Sequence, residues 1–266
     1  MRDSGIIEKD NLMSDKIQFV VVSWLDAERF IGVSKKRFAI KIRSEKWVKR
    51  RCRIFKQFTL QSLFNQSFDN FRVWLYCGQA HRKITSSYDF GDRIEVVYDY
   101  GKSRIEELQN QWLSLTRIDS DDCFHKDAML EVKDRTIMAD RKTTMGFRDL
   151  IQWNILHNFV SDIRIIVSPF TTHCWPKSQY KNWQRLCREQ FGAYRNPQQR
   201  LSPRKVCIIR HRDNVTWNRI GKDPASRRYF LEEKSKRNNF ITDRGRIVGI
   251  LKDYGIRPEQ VPGGDN

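Results

Sequence analysis

The sequence lacks any apolar run approaching the ~18 residues that a membrane-spanning helix needs. A transmembrane helix is therefore not expected. It also lacks a charged start leading into an apolar stretch, so nothing reads as a secretory signal. Residues 1–16 are polar and read as a loose leader, and the expected setting is cytoplasmic. The six cysteines, Cys52, Cys77, Cys123, Cys174, Cys187 and Cys207, stand far apart, without CxxC or Cys/His finger spacing. Such spacing suits free thiols better than a disulfide frame or a zinc site. No GxGxxG or Walker-type loop occurs, which counts against dinucleotide dehydrogenases and P-loop kinases, and no internal repeat suggests a solenoid.

What the chain has in excess is positive charge, with 50 Lys and Arg against 32 Asp and Glu and a formal net charge of +18. Nucleic acid, an anionic membrane surface and a polyanionic substrate are the partner classes that such a surplus fits. Basic clusters at Lys35 to Arg37, Lys49 to Arg51, Arg227-Arg228 and Lys234 to Arg237 are spread along the chain, which predicts a generally basic surface and not a dedicated arm. A hydrophobic fraction of 39% with 12% aromatics is that of a folded protein, and 266 residues suffice for one large α/β domain or two small ones, of which one domain with a C-terminal extension is expected.

Ile17 to Trp24 is a near-continuous β-branched and apolar run, the pattern of a strand buried on both faces of a parallel sheet. Arg37 to Ile42 reads as a short additional strand. From Ser44, a candidate N-cap, Trp47, Ile54, Phe55, Phe58, Ser62 and Leu63 recur at helical spacing and predict one amphipathic helix. Strands follow at Phe71 to Tyr76 and Arg93 to Tyr98, a short helix at Ser103 to Gln111, and a strand at Leu113 to Ile118. Beyond it the pattern predicts a helix over Lys126 to Asp140, strands at Leu150 to Leu156 and Ile163 to Val167, a helix over Tyr180 to Phe191, and a strand from Arg204 to Ile209 that delivers His211.

The strand ending at Ile118 runs into Asp119-Ser120-Asp121-Asp122, three carboxylates within four positions. Carboxylates this close repel one another, each raising the pKa of the next, so the cluster needs a neutralising positive charge. A divalent cation supplies it economically, since Mg2+ and Mn2+ take one or two protein carboxylates and leave positions for phosphate oxygens and water. The same residues also make good turn and N-cap composition. If repulsion is all they contribute, replacing one Asp by Asn should leave the fold intact.

Thr116-Arg117-Ile118-Asp119-Ser120-Asp121-Asp122-Cys123-Phe124 resembles the DxD segment of A-type (GT-A) glycosyltransferases. Together with Lys46-Trp47 through Phe55, Phe58 to Ser67 and Ser168-Pro169-Phe170, it is similar to the rhamnosyltransferase family over roughly Ile17 to Asn218. The resemblance implies an α/β domain of GT-A fold over residues 17–218, a mixed and mostly parallel sheet flanked by helices, with residues 219–266 as a basic C-terminal extension. It implies a glycosyltransferase that moves a sugar, with rhamnose a candidate, from a nucleotide-diphosphate donor to the hydroxyl of a glycan or other acceptor. Mg2+ or Mn2+ would be held by Asp121 and Asp122, and a late histidine, matched by His211 in Arg210-His211-Arg212-Asp213-Asn214, would complete the metal shell. Arg117, Asp119 and Asp121 would contact the donor, Asp119 through sugar or ribose hydroxyls. Arg210 and Arg212 are further phosphate candidates, because guanidinium forks match phosphate oxygens.

Deprotonation of the acceptor hydroxyl requires a general base. Glu189 and Asp162 are the candidates, with Asp149 a third. The basic surplus suggests peripheral contact with an anionic membrane face. The alternative reading is a basic nucleic-acid-binding protein in which the acidic turn is structural only.

Overall fold

A computed structural model of the chain describes residues 16–26, 44–98, 102–139, 142–165, 170–180, 199–211 and 240–263. It is built outward from β1 (Ile17–Trp24), whose Phe19 and Val21 turn to one side and Val20 and Val22 to the other, into two separate buried clusters. A strand covered on both faces needs apolar residues at successive positions, and the sequence run reflects that. β2 (Arg72–Tyr76) and β3 (Ile94–Val97) on one side of β1, and β4 (Trp112–Asp119) on the other, run parallel to it. Past β4 come β9 (Thr171–Pro176), β6 (Thr143–Gly146) and β10 (Gln199–Arg200), giving the order β10-β6-β9-β4-β1-β2-β3. Only β9 runs antiparallel among these described strands.

Helices cover both faces. On one, α1 (Glu45–Gln57) buries Val48, Cys52 and Phe55, α2 (Thr59–Phe64) buries Leu60 and Leu63, and α5 (Ala128–Met138) buries Met129 and Val132. On the other, α4 (Lys102–Glu107) contributes Ile105. A short helix, α3 (Arg82–Thr85), follows β2. The architecture is thus a mixed, mostly parallel α/β sheet flanked by helices, the class that the resemblance implied. Ser44 caps α1 as expected, its hydroxyl accepting the Trp47 amide at 3.3 Å.

A second sheet, in the order β5-β11-β7-β8, is made by β5 (Cys123–Phe124), β7 (Asp149–Asn154), β8 (Phe159–Arg164) and β11 (Val206–Arg210). Its core includes Trp153, Cys207 and Ile209. Residues 240–263 pack into the same core, where α6 (Arg244–Lys252) places Ile247 and Leu251 beside Ile54, Phe58 and Trp153. Burying a Leu or Ile side chain of this kind contributes roughly 1.5–3 kcal/mol.

The structure departs from expectation at several elements. The predicted single helix from Ser44 breaks at Phe58, which turns away to meet the Trp153 ring edge-on at 5.9 Å while Leu60 and Leu63 stay on the large sheet. The strand predicted at Ile163 to Val167 is β8, which starts earlier, because a turn through Asn158 at φ 43° pairs Phe159 directly with Asn154. Strands β5, β6, β9 and β10 were not predicted. The strand predicted over Arg37 to Ile42 lies outside the described residues, as does the helix predicted from Tyr180 to Phe191, except for Tyr180 itself, which ends a 3-10 turn.

Candidate active site

The acidic turn lies where the two sheets meet. Register sets the carboxyl ends of the parallel strands in one row, with Trp24 beside Tyr76 on one side and Asp119 on the other. Ligands of open α/β sheets bind at such an edge. From Asp119 the chain turns, the Asp122 amide donating to the Asp119 carbonyl at 3.1 Å, and enters β5, which pairs with β11 of the second sheet. β11 in turn ends at Arg210 and places His211 next to the turn.

Each carboxylate of the turn has a different environment. Asp119 shares a face of β4 with Arg117, whose Nη2 donates to Asp119 Oδ1 at 2.8 Å while its guanidinium lies 4.8 Å over the Trp24 ring. Asp121 is buried, and its Oδ2 accepts from Arg51 Nη1 at 2.7 Å and lies 3.2 Å from His211 Nε2. Arg51 also donates from Nη2 to Ser120 Oγ at 2.5 Å. Asp122 turns toward β11, where its Oδ1 accepts the Ile209 amide at 3.0 Å.

These contacts divide the titration of the two neighbours. Burial alone would raise the Asp121 pKa, but the charge of Arg51, the bonds from His211 and Arg51 and the charge of His211 reverse it and hold the group below the usual carboxylate range. Burial and then the charges of Asp121 and Asp119 push Asp122 well above that range, against the opposing Ile209 amide and Arg210. Arg51 shows the reciprocal effect: burial would lower its pKa, and Asp121, Asp119 and Asp122 raise it instead.

Of the residues expected from the sequence, Arg117, Asp119, Asp121, Asp122 and His211 come together here, with Arg210 adjoining. Asp162 does not join them. It sits on β8, where Arg204 holds both of its oxygens at 2.7 and 2.6 Å, on the wall of a cavity of about 260 Å³ shared with Phe240 and Arg246. Asp149 lies 3.6 Å from Arg164 in an exposed ion pair. Glu189 and Arg212 lie outside the described residues. Sequence reasoning missed Arg51, although it had a signal: Arg51 falls on the apolar face of α1, three residues after Val48 and four before Phe55.

Asp121 and His211 offer one oxygen and one nitrogen close together. Among the described residues no group of three or more His, Cys, Asp or Glu side chains is gathered to hold a metal ion unaided. The pair fits a Mg2+ or Mn2+ ion that takes its remaining ligands from a diphosphate and water, and does not fit an ion caged by protein alone. Asp122, the other carboxylate expected to hold the ion, also ties the turn to β11 through the bond from the Ile209 amide to its Oδ1.

No family model matches the chain and no curated protein matches its sequence. Solved structures similar to it include S. aureus TarS, at 11% identity and a TM-score of 0.38 over 77% of this chain. The chain spans 38% of that TarS chain. A 4-diphosphocytidyl-2C-methyl-D-erythritolsynthase from Anaerococcus prevotii matches at 14% identity and a TM-score of 0.34, over 83% of this chain and 99% of that one. A mannose-6-phosphate isomerase from Helicobacter pylori follows at 10% identity and 0.28, over 73% and 97%. Likeness at these TM-scores carries no argument about what this chain does.

Proposed function

We propose that the chain is a glycosyltransferase of the A type, moving a sugar from a nucleotide-diphosphate donor to an acceptor hydroxyl. The observation that carries this reading is the convergence of Asp119, Asp121 and His211 at the carboxyl ends of the parallel strands, one element from each sheet. Asp121 and His211 would hold a Mg2+ or Mn2+ ion, which when bound supplies a Lewis acid for the charge that develops on the departing diphosphate. Arg117 holds Asp119 in place for the donor hydroxyls, and the Trp24 ring between Arg117 and Tyr76 gives the same edge an aromatic wall. Asp122 fixes β11 and with it the position of His211. Rhamnose is the donor sugar proposed for the first assay, on the sequence resemblance alone. Glu189 stays the candidate base for the acceptor hydroxyl, since Asp162 gives both oxygens to Arg204.

Among the described residues no helix is long and apolar enough to cross a membrane. For the acceptor side we propose peripheral contact with an anionic surface through the exposed face of α1, where Lys46, Lys49, Arg50 and Arg53 recur. The nucleic-acid reading rests on net charge alone, and nothing in the site adds to it.

The test is calorimetric binding of UDP, GDP and dTDP with Mn2+ or with chelator, followed by donor hydrolysis over a panel that includes dTDP-rhamnose. At least one nucleotide is expected to bind in a chelator-sensitive way, and Asp121→Asn is expected to abolish that binding. Nucleotide binding unchanged by chelator and by Asp121→Asn would remove the reading.

A further inference from the structure

The acidic turn already has its counter-charge. Two of its carboxylates already hold a guanidinium, Asp121 that of Arg51 at 2.7 Å and Asp119 that of Arg117 at 2.8 Å, so among the described residues they are paired with positive charge before any dication arrives. Arg51 is the central member. It is only 6% exposed, lies 5.5 Å over the Trp47 ring and reaches from the apolar face of α1 to the same Asp121 oxygen that His211 approaches. Arg51 thus sets a fixed positive charge 2.7 Å from Oδ2, the oxygen that lies 3.2 Å from His211 Nε2. Arg51 also keeps Nε buried with no hydrogen-bond partner among the described residues, an uncompensated cost of bringing a guanidinium here. A buried pair is weak as a stabilising device, since apolar residues of similar volume serve as well or better, so fold stability alone does not account for it.

We infer that Arg51 is a built-in counter-cation that closes Asp121 to free divalent ions, so that the metal is taken up only together with the diphosphate of the donor. The inference rests on the transferase reading above. A nucleoside diphosphate brings further negative charge, and with it a dication can share Asp121 with Arg51. Metal and nucleotide then bind with strong positive coupling, and linkage makes that coupling the same in both directions.

The experiment measures Mn2+ affinity by loss of the free-ion electron paramagnetic resonance signal, for the protein alone and with saturating UDP, GDP or dTDP, and nucleotide affinity with and without Mn2+. The parent is expected to bind Mn2+ about a hundredfold more tightly when nucleotide is present, and nucleotide correspondingly more tightly with Mn2+. Arg51→Met should raise affinity for free Mn2+ by about tenfold and shrink the coupling, whereas Arg51→Lys, which keeps the charge, should still exclude the free ion. A purely structural role for Arg51 would leave free-ion affinity unmoved in both variants, and that result overturns the inference. So does coupling below about twofold in the parent, a measurement that decides the matter even if Arg51→Met loses its cooperative unfolding transition. If no nucleotide binds with Mn2+ at all, the transferase reading fails. If nucleotide binds in a chelator-sensitive way but free Mn2+ binds as tightly without it, only the role of Arg51 fails.

Discussion

Arg51–Asp121 and Arg204–Asp162 are both short arginine–carboxylate pairs, at 2.7 Å and 2.6 Å, and they differ in almost everything else. The first has side chains 7% and 11% exposed at the junction of the two sheets, while in the second they are 59% and 41% exposed on the edge of the small sheet. In water the second pair gains little from its charges, because solvent screens them and would hydrate either group alone. Inside the junction burial leaves each side chain little contact with solvent, so each charge there depends on the other. The same two residue types therefore make a surface clasp in one place and an obligatory couple in the other.

The largest expected effect tests that obligation. The sequence treats Asp121 as one of several repelling carboxylates, from which Asp121→Asn should leave the fold unharmed. With Arg51 beside it, the substitution strands a buried guanidinium and is expected to destabilise the protein by about 3–5 kcal/mol in urea unfolding at pH 7. The double variant Arg51→Met, Asp121→Leu should recover most of that loss, since neither charge remains. A single variant as stable as the parent would show that water reaches the junction and would erase the contrast between the two pairs.

How much of this was readable beforehand depended on how each element achieves its burial. β1, α1 and β4 bury apolar side chains at regular spacing, so Ile17 to Trp24, the Ser44 cap and Leu113 to Ile118 stood out in the sequence. β9 and β6 bury polar groups instead, with Thr172 bonded to Thr116 at 2.9 Å and His173 to Thr144 at 3.2 Å, and no hydrophobic period announces them. The helix at Arg244–Lys252 was hidden because Arg244, Gly245, Arg246 and Gly249 dilute Ile247 and Leu251. At the site the acidic turn and His211 were legible as residues, whereas the link from Asp121 to Arg51 spans 70 positions and follows only from the way α1 packs.

His173 sharpens the comparison as a buried titratable group with no opposite charge beside it among the described residues. It lies in the middle of β9 with Nε2 unbonded, and burial, with a lesser push from Lys142, lowers its pKa to about 4. Unlike Asp121, it meets the low dielectric by staying neutral. Its folded pKa lies below the ordinary value near 6.5, so the unfolded chain binds the extra proton first as pH falls. Its contribution is therefore fully present above about pH 6.5 and is lost as pH drops from there toward 4, on the order of 3 kcal/mol in all. Urea midpoints measured from pH 7.5 to 4 should show that slope, and His173→Gln should flatten it. An unchanged slope in the variant would assign the pH dependence to other groups.

The smallest expected effect belongs to the exposed pair, and there the backbone weighs as much as the charges. Asp162→Asn should lower stability by less than about 1 kcal/mol, and added salt should shrink even that, because the pair is solvated on both sides. Arg204 sits at φ 58°, a left-handed conformation that suits glycine, held by its amide bond to the Asp149 carbonyl and by the Tyr254 hydroxyl on its own carbonyl. Arg204→Gly removes the ion pair but also relieves a backbone cost of about 1–2 kcal/mol, so the two changes offset and the net shift should lie within about 1 kcal/mol of zero. Nucleotide binding should not change in either variant, since neither residue reaches the acidic turn. A coupling between positions 162 and 204 as large as that between 51 and 121, measured by the same double-variant cycle, would mean that burial is not what separates the two pairs.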